Sequence, residues 1–426
     1  MIDRILVTRI KGYVLLLLYL CAWLIPFSSR AQNTVIKAGH LFNFRTGEFS
    51  QDQTVLVKEG KILAVGRNLP YSRTDTLIDL SNAWVLPGLI DCHVHLTTNF
   101  PYRNLSLAQA YTTESSSLRA LRGGHVAGQL LRGGFTTVKE IGNDANYASA
   151  DVIKAINHGW LAGPHIVYAG KIIAPYGGQT SGVNSEHEHL WDFEFIDADT
   201  PDEIKKAVRK NIYYGATVIK LVSGDNAYYN VEDIQAAVQE ASKTGLKVTV
   251  HVMGGPAARN AILGGAAAIE HGFDLDDELL RLMHKRGTFL VGTDFSFANW
   301  YAYGMDSTAA HQLESRGIDR LQRAYKSQVK LAFGTDIIVD LPGLNRLQTN
   351  LKELQTWKLA KIPAAYTLQT MTLYAAELLG VGETRGVIAP AYWADIIALK
   401  SNPLADITRV EQVKFVMKKG KVVRLD

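Results

Sequence analysis

The chain has 426 residues, 47% of them hydrophobic, with 45 lysines and arginines against 41 aspartates and glutamates. Residues 1–31 hold four of those basic residues and one acidic one, so the remaining 41 and 40 nearly cancel and exclude a basic surface for nucleic acid. A composition this apolar, with no low-complexity tract, excludes a disordered chain, and about 395 residues suit one large domain plus a smaller module.

The N terminus carries Arg4, Arg9 and Lys11, an apolar stretch from Tyr13 to Phe27, and then Ser28-Ser-Arg-Ala-Gln32. A basic start, an apolar run of about 15 residues and the small residues Ser29 and Ala31 read as a cleaved secretory signal over residues 1–31. The run is shorter than the roughly 20 residues a membrane span needs. The mature chain is therefore expected to be periplasmic or extracellular, with no stable membrane anchor. Only Cys92 remains in it, so an intramolecular disulfide is excluded, and Cys92 is assigned to core packing.

From Thr34 to Leu86 the pattern is strand-like, with a hairpin of Gln53–Lys58 and Lys61–Val65 about the turn Glu59-Gly60. The tail behaves alike over Ala394–Leu399, Val413–Met417 and Lys421–Arg424. Both β-rich ends are expected to join as one small β-sandwich, residues 32–88 plus 385–426. Between them, apolar strands alternate with helical patterns: Leu89–Leu96, Phe135–Ile141, His165–Ala169, Val218–Val222, Lys247–Val252, Ala267–His271, Phe289–Gly292 and Lys330–Thr335. Eight such units predict an α/β fold, a (β/α)8 TIM barrel over residues 89–384. A closing helix starts at Pro363, keeps apolar spacing through Leu368, Met371, Ala375 and Leu379, and stops at Gly380.

Barrel active sites lie at the C-terminal ends of the strands, where this chain repeatedly places metal-ligand chemistry. His93 and His95 end strand 1 on one face; Lys220 lies in strand 4, His251 ends strand 5, His271 ends strand 6 and Asp336 ends strand 8. His93, His95 and Asp336, on neighbouring strands, can hold one divalent ion; His251 and His271 can hold a second. Two cations so close repel unless anions bridge them, and a bare ammonium at Lys220 worsens that. A carbamate formed by Lys220 with CO2 provides the bridge. Glu186-His-Glu-His189 reads as a solvated loop, not a third metal site.

The stretches LPGLIDCHVHL, VIKLVSG, VTVHVMG, AIEHG and FGTD resemble the metal-dependent amidohydrolase superfamily. They are most similar to its carboxylated-lysine binuclear branch, with prolidase-like and imidazolonepropionase-like members. The resemblance runs from about Thr34 to the C terminus, including Tyr374–Gly380 and Gly386–Ile397. It implies a flanking β-sandwich, two zinc or similar ions, and hydrolysis of amide or ester bonds. Three positions depart from it: Lys139-Glu140 stands where relatives carry arginine and aspartate, Gln179 follows a glycine pair where histidine is common, and Gly254 replaces a glutamate. The last argues against nucleobase deamination; the first two leave the substrate open.

The expected function is amide hydrolysis of a small substrate, a dipeptide or N-acyl amino acid, by a metal-bridging hydroxide, with Asp336 passing the proton to the leaving amine. In a prolidase-like reading, Tyr228 or Tyr229 binds the substrate's carboxylate, assisted by Lys139 or Arg259; packing of the loop by both tyrosines is the alternative. A lactonase or esterase on the same site, and a silent ligand-binding protein, remain open. A homo-oligomer is expected by analogy alone.

Overall fold

A computed structural model of the chain describes residues 33–142, 145–179, 184–224 and 227–426, so the expected signal lies outside the described residues. Among the described residues, no helix is long and apolar enough to cross a membrane.

The N-terminal strands are β1 (Thr34–Asn43), β2 (Glu48–Lys58), β3 (Lys61–Gly66) and β4 (Thr76–Pro87). The β2–β3 hairpin turns as its sequence predicts, with Glu59 at φ 51° and Gly60 at φ 81°, and pairs Lys58 with Lys61. The central strands are β5 (Leu89–Val94), β6 (Phe135–Glu140), β7 (His165–Tyr168), β8 (Ile172–Ala174), β9 (Phe195–Asp197), β10 (Ile219–Val222), β11 (Val248–Gly254), β12 (Ala268–Asp274) and β13 (Phe289–Val291). The tail supplies β14 (Ile396–Leu399), β15 (Val413–Lys418) and β16 (Lys421–Leu425).

Both chain ends meet in a single seven-stranded sheet of order β16-β15-β14-β4-β1-β2-β3. The join is the antiparallel pair β14–β4, and the buried face collects Ile36, Val55, Leu80, Ile396, Phe415 and Met417. The alternation of buried and exposed residues along β4 (eeBeBeeBiBBB) shows one face turned to this core.

The central strands pair in parallel, β5-β6-β7 in one sheet and β10 to β13 in another. Backbone bonds connect the two sheets. The amide of Thr217 donates to the Tyr168 carbonyl at 2.7 Å, linking β7 to β10. On the other side, Ala332 donates to Leu290 at 3.0 Å, Cys92 donates to Phe333 at 2.8 Å, and Asp336 donates to His93 at 2.8 Å. The segment 330–336 thus fills the gap between β13 and β5, and the strands follow one another in a ring. It is bonded on both flanks without forming the continuous strand expected at Lys330–Thr335; only Leu331 bridges to β13. The short strands β8 and β9 were not expected; β8 sits beside β10.

The closing helix is also interrupted, into Ala364–Thr370 and Leu373–Leu378. The carbonyls of Thr370 and Met371, which a continuous helix would use internally, accept instead from Phe333 (3.1 Å) and Ile90 (2.7 Å). Cys92 is buried beside Ala375 and Ala376 on the outer side of β5, as its alternation with His93 requires.

Candidate active site

Along β5, Asp91, His93 and the following His95 share the inward face, and all are buried. His93 directs Nδ1 at Glu270 Oε2 (2.8 Å) and Nε2 at Asp336 Oδ1 (3.3 Å). His95 directs Nδ1 at the Gly142 carbonyl (2.7 Å) and Nε2 at the same Asp336 oxygen (3.0 Å). Donation of Nδ1–H to Glu270 by His93 and to the Gly142 carbonyl by His95 marks the tautomer that leaves each Nε2 unprotonated, as a metal ligand requires.

His271 and Asp336 reach the same point by a local break in the strand pattern. Glu270 already points inward, so a regular strand would turn His271 outward; its φ of 67° reverses that. Thr335 faces inward onto Asp91, donating from its amide (3.0 Å) and hydroxyl (2.8 Å), and Asp336 at φ 52° turns inward as well. The Tyr303 hydroxyl donates to the Asp336 carbonyl at 2.6 Å and fixes this turn. Gly334 lets the segment lie against β5, since a Cβ there would stand 2.9 Å from His93 Cβ.

His93, His271 and Asp336 offer ligand atoms within 4.8 Å of one another. This trio crosses the division expected from the sequence, which paired His271 with His251. His251 stands beside His271 with ring centroids 4.5 Å apart, and His93 beside His271 at 5.0 Å, so the two expected groups adjoin. Burial lowers His271 well below the ordinary histidine range, helped by His251 and opposed by Asp336, which keeps the ring neutral at pH 7. Burial works against charge on Asp336, yet His93 and His95 beside it hold its carboxyl well below the usual range. Neutral imidazoles and an ionised carboxylate are the donor set a divalent cation takes.

Lys220 is buried on β10 and lines the same cavity as His93, His95, His251, His271 and Asp336. The cavity is about 470 Å³, and its remaining wall is mostly apolar: Phe100, Phe195, Phe273, Phe295, Trp300 and Ile338 among others. Phe295 and Trp300 meet edge to face at 4.8 Å, and Phe273 packs on Trp300 at 5.5 Å. Gln179, the departure after the glycine pair, reaches the His251 ring at 3.4 Å.

The four residues expected to bind substrate do not line this cavity. Tyr229 is buried with its hydroxyl donated to the Ala198 carbonyl at 2.8 Å, so it packs the loop. Tyr228 is 56% exposed beside it. Arg259 pairs with Glu278 at 2.8 Å on the surface, because its helix carries it outward. Lys139 lies inside the ring, paired with Glu270 at 2.5 Å. Glu186–His189 is an exposed 3-10 turn, as expected. The sequence reading missed Asp91 and Glu270. Asp91 shares the strand face of His93 and His95, a legible signal; Glu270 precedes His271 and gave none. Burial raises Asp91 to about 7 against its three hydrogen-bond partners His93, Thr335 and Asn350.

The amidohydrolase family model matches residues 84–423. Ochratoxinase from Aspergillus niger is 28% identical, covering 92% of this chain and 86% of its own length. The crystal structure of a Xaa-Pro dipeptidase with bound methionine superposes with a TM-score of 0.81 at 29% identity, covering 92% of this chain and all of its own (100%). A prolidase complexed with N-methylphosphonate-L-proline superposes with a TM-score of 0.81 at 26% identity, covering 93% and 100%. The chain belongs to the amidohydrolase family, whose relatives here make it a hydrolase acting on carbon–nitrogen bonds.

Proposed function

We propose that the chain is an exported, binuclear metal-dependent hydrolase that cleaves the amide bond of a dipeptide or N-acyl amino acid with an apolar side chain. In this reading residues 89–384 form a (β/α)8 barrel, residues 32–88 and 385–426 form the flanking β-sandwich, and residues 1–31 are removed on export. His93, His95 and Asp336 would hold one cation and His251 and His271 the other, and a carbamate on Lys220 would supply the anionic charge that two neighbouring cations need. Zinc, favoured by the imidazole-rich set, supplies a hydroxide near neutral pH and polarises the scissile carbonyl when bound.

The chain's own residues do the rest. Asp336, kept ionised, accepts the proton of the attacking water and returns it to the leaving nitrogen, which cannot depart as an anion. Tyr303 and the Asp91–Thr335 pair hold that carboxylate in place. Phe273, Phe295 and Trp300 exclude water and seat an apolar group.

The observation that carries this reading is the meeting of two imidazole Nε2 atoms, from His93 and His95, at one oxygen of Asp336, at 3.3 and 3.0 Å. The Xaa-Pro dipeptidase and the ochratoxinase among its relatives support the amide. The test is turnover of Xaa-Pro dipeptides, N-acyl amino acids and lactones by the purified chain. Cleavage of an apolar amide substrate is expected; turnover of lactones alone would replace the amidase by a lactonase.

A further inference from the structure

We propose that Lys139 and Glu270 act as a positioning pair for His93, fixing its tautomer so that Nε2 is bare toward the cation; this rests on the reading of His93 as a ligand. Lys139 is on β6 and Glu270 on β12, four strands apart in the ring and so on opposite sides of it. Their side chains meet inside, at 2.5 Å, with exposures of 1% and 0%. Glu270 then divides its two oxygens: Oε1 takes the Lys139 ammonium and the Thr249 hydroxyl, and Oε2 takes Nδ1 of His93.

Stability does not account for this arrangement. Removing an ammonium and a carboxylate from water is costly, and apolar side chains of similar volume serve a barrel interior as well or better. Geometry accounts for it. A carboxylate locked on its far side by a cation and a hydroxyl cannot rotate, so the Nδ1–H donated to it leaves Nε2 unprotonated and available to a cation. His95 receives the same orientation from the Gly142 carbonyl. The carboxylate differs from that carbonyl in carrying a charge, which strengthens its hold on the His93 ring, and Lys139 balances the charge this buries.

The test uses the full-length mature chain freed of metal, with zinc alone as the probe in competition with a chelating dye. Lys139→Met and Glu270→Gln are each expected to weaken zinc binding about 10–100-fold, read on chains whose circular dichroism stays native even where the metal-free melting point falls because the buried pair is broken. The double variant should lose no more than the worse single one, and Lys139→Arg should recover most of the affinity. Imidazole 15N shifts should show His93 with its proton on Nδ1 in the native chain and mixed tautomers in Lys139→Met. If Lys139→Met does not fold, Thr249→Val removes the hydroxyl hold alone and should cost several-fold. Native affinity in folded Lys139→Met or in Thr249→Val, or additive losses in the double variant, would overturn the pairing. A wild-type chain that binds no zinc, or His93→Ala binding as tightly as wild type, would instead overturn the ligand reading beneath it.

Discussion

Asp336, Thr293 and His271 all carry positive φ, at 52°, 47° and 67°, a conformation that costs an L residue roughly 1–2 kcal/mol. His271 lies within β12, Thr293 two residues past β13 and Asp336 at the end of the segment 330–336, and each turn aims a side chain at the same point, with Thr293 Oγ1 2.9 Å from His271 Nδ1. Asparagine tolerates the left-handed region and matches aspartate in size. Asp336→Asn should therefore keep the native melting behaviour and lower turnover at least about 100-fold, as removal of a general acid–base does; near-native turnover would remove Asp336 from the chemistry. The sequence singles out His93, His95, His251, His271, Lys220 and Asp336, which line one cavity, because residue type and position along a strand are legible in it. It did not disclose substrate contacts. Tyr229 and Arg259 rest on the prolidase-like resemblance, and side-chain direction, which takes one inward and the other outward, depends on loop and helix geometry that spacing does not encode.

At the scale of elements, strands 1 to 7 of the ring were legible from apolar runs, whereas the segment 330–336 and the closing helix were not. Both fail for one reason: their backbone groups bond across the ring rather than within an element, as in Phe333 to Thr370. Behind this segment the helices Ser307–Lys326 and Glu353–Leu359 bring charge into the interior. Arg320 donates to the carbonyls of His271 and Gly292 and to Asp294, so it ties β12 at His271 to the turn after β13 that carries Thr293. Glu353, buried nearby, has its carboxyl raised well above the usual range by burial and by Asp294, Asp91 and Asp336. A raised acid keeps its proton in the folded chain where the unfolded chain has lost it, so stability falls as pH rises from the ordinary carboxylate range toward the raised value. Urea midpoints should therefore drop as the pH rises above the ordinary carboxylate range, and Glu353→Gln, neutral throughout, should drop less. An identical pH dependence in both proteins would contradict this assignment.

Across the whole molecule, the two chain ends serve the ring between them. The buried Arg385–Asp395 ion pair sits at the junction, where Asp395 also accepts from the Lys419 amide (2.7 Å) and its carbonyl accepts from Gly88 (2.8 Å), one residue ahead of β5. The tail thereby anchors the strand that bears His93. The core of the seven-stranded sheet is separate from the cavity, with Phe415 fully buried in it. Phe415→Ala should cost about 3–5 kcal/mol of that module's stability in urea while turnover at 25 °C stays close to native. Lost turnover without lost stability would mean that the module shapes the site directly.

The central claim is that the ring mouth binds two divalent ions and that amide hydrolysis depends on them. Metal content by elemental analysis, followed by turnover of one apolar Xaa-Pro or N-acyl amino acid substrate before chelation, after it and after zinc return, tests that claim most directly. The account predicts close to two ions per chain, turnover abolished with their removal and restored with their return. Full turnover by a chain stripped of metal would contradict it.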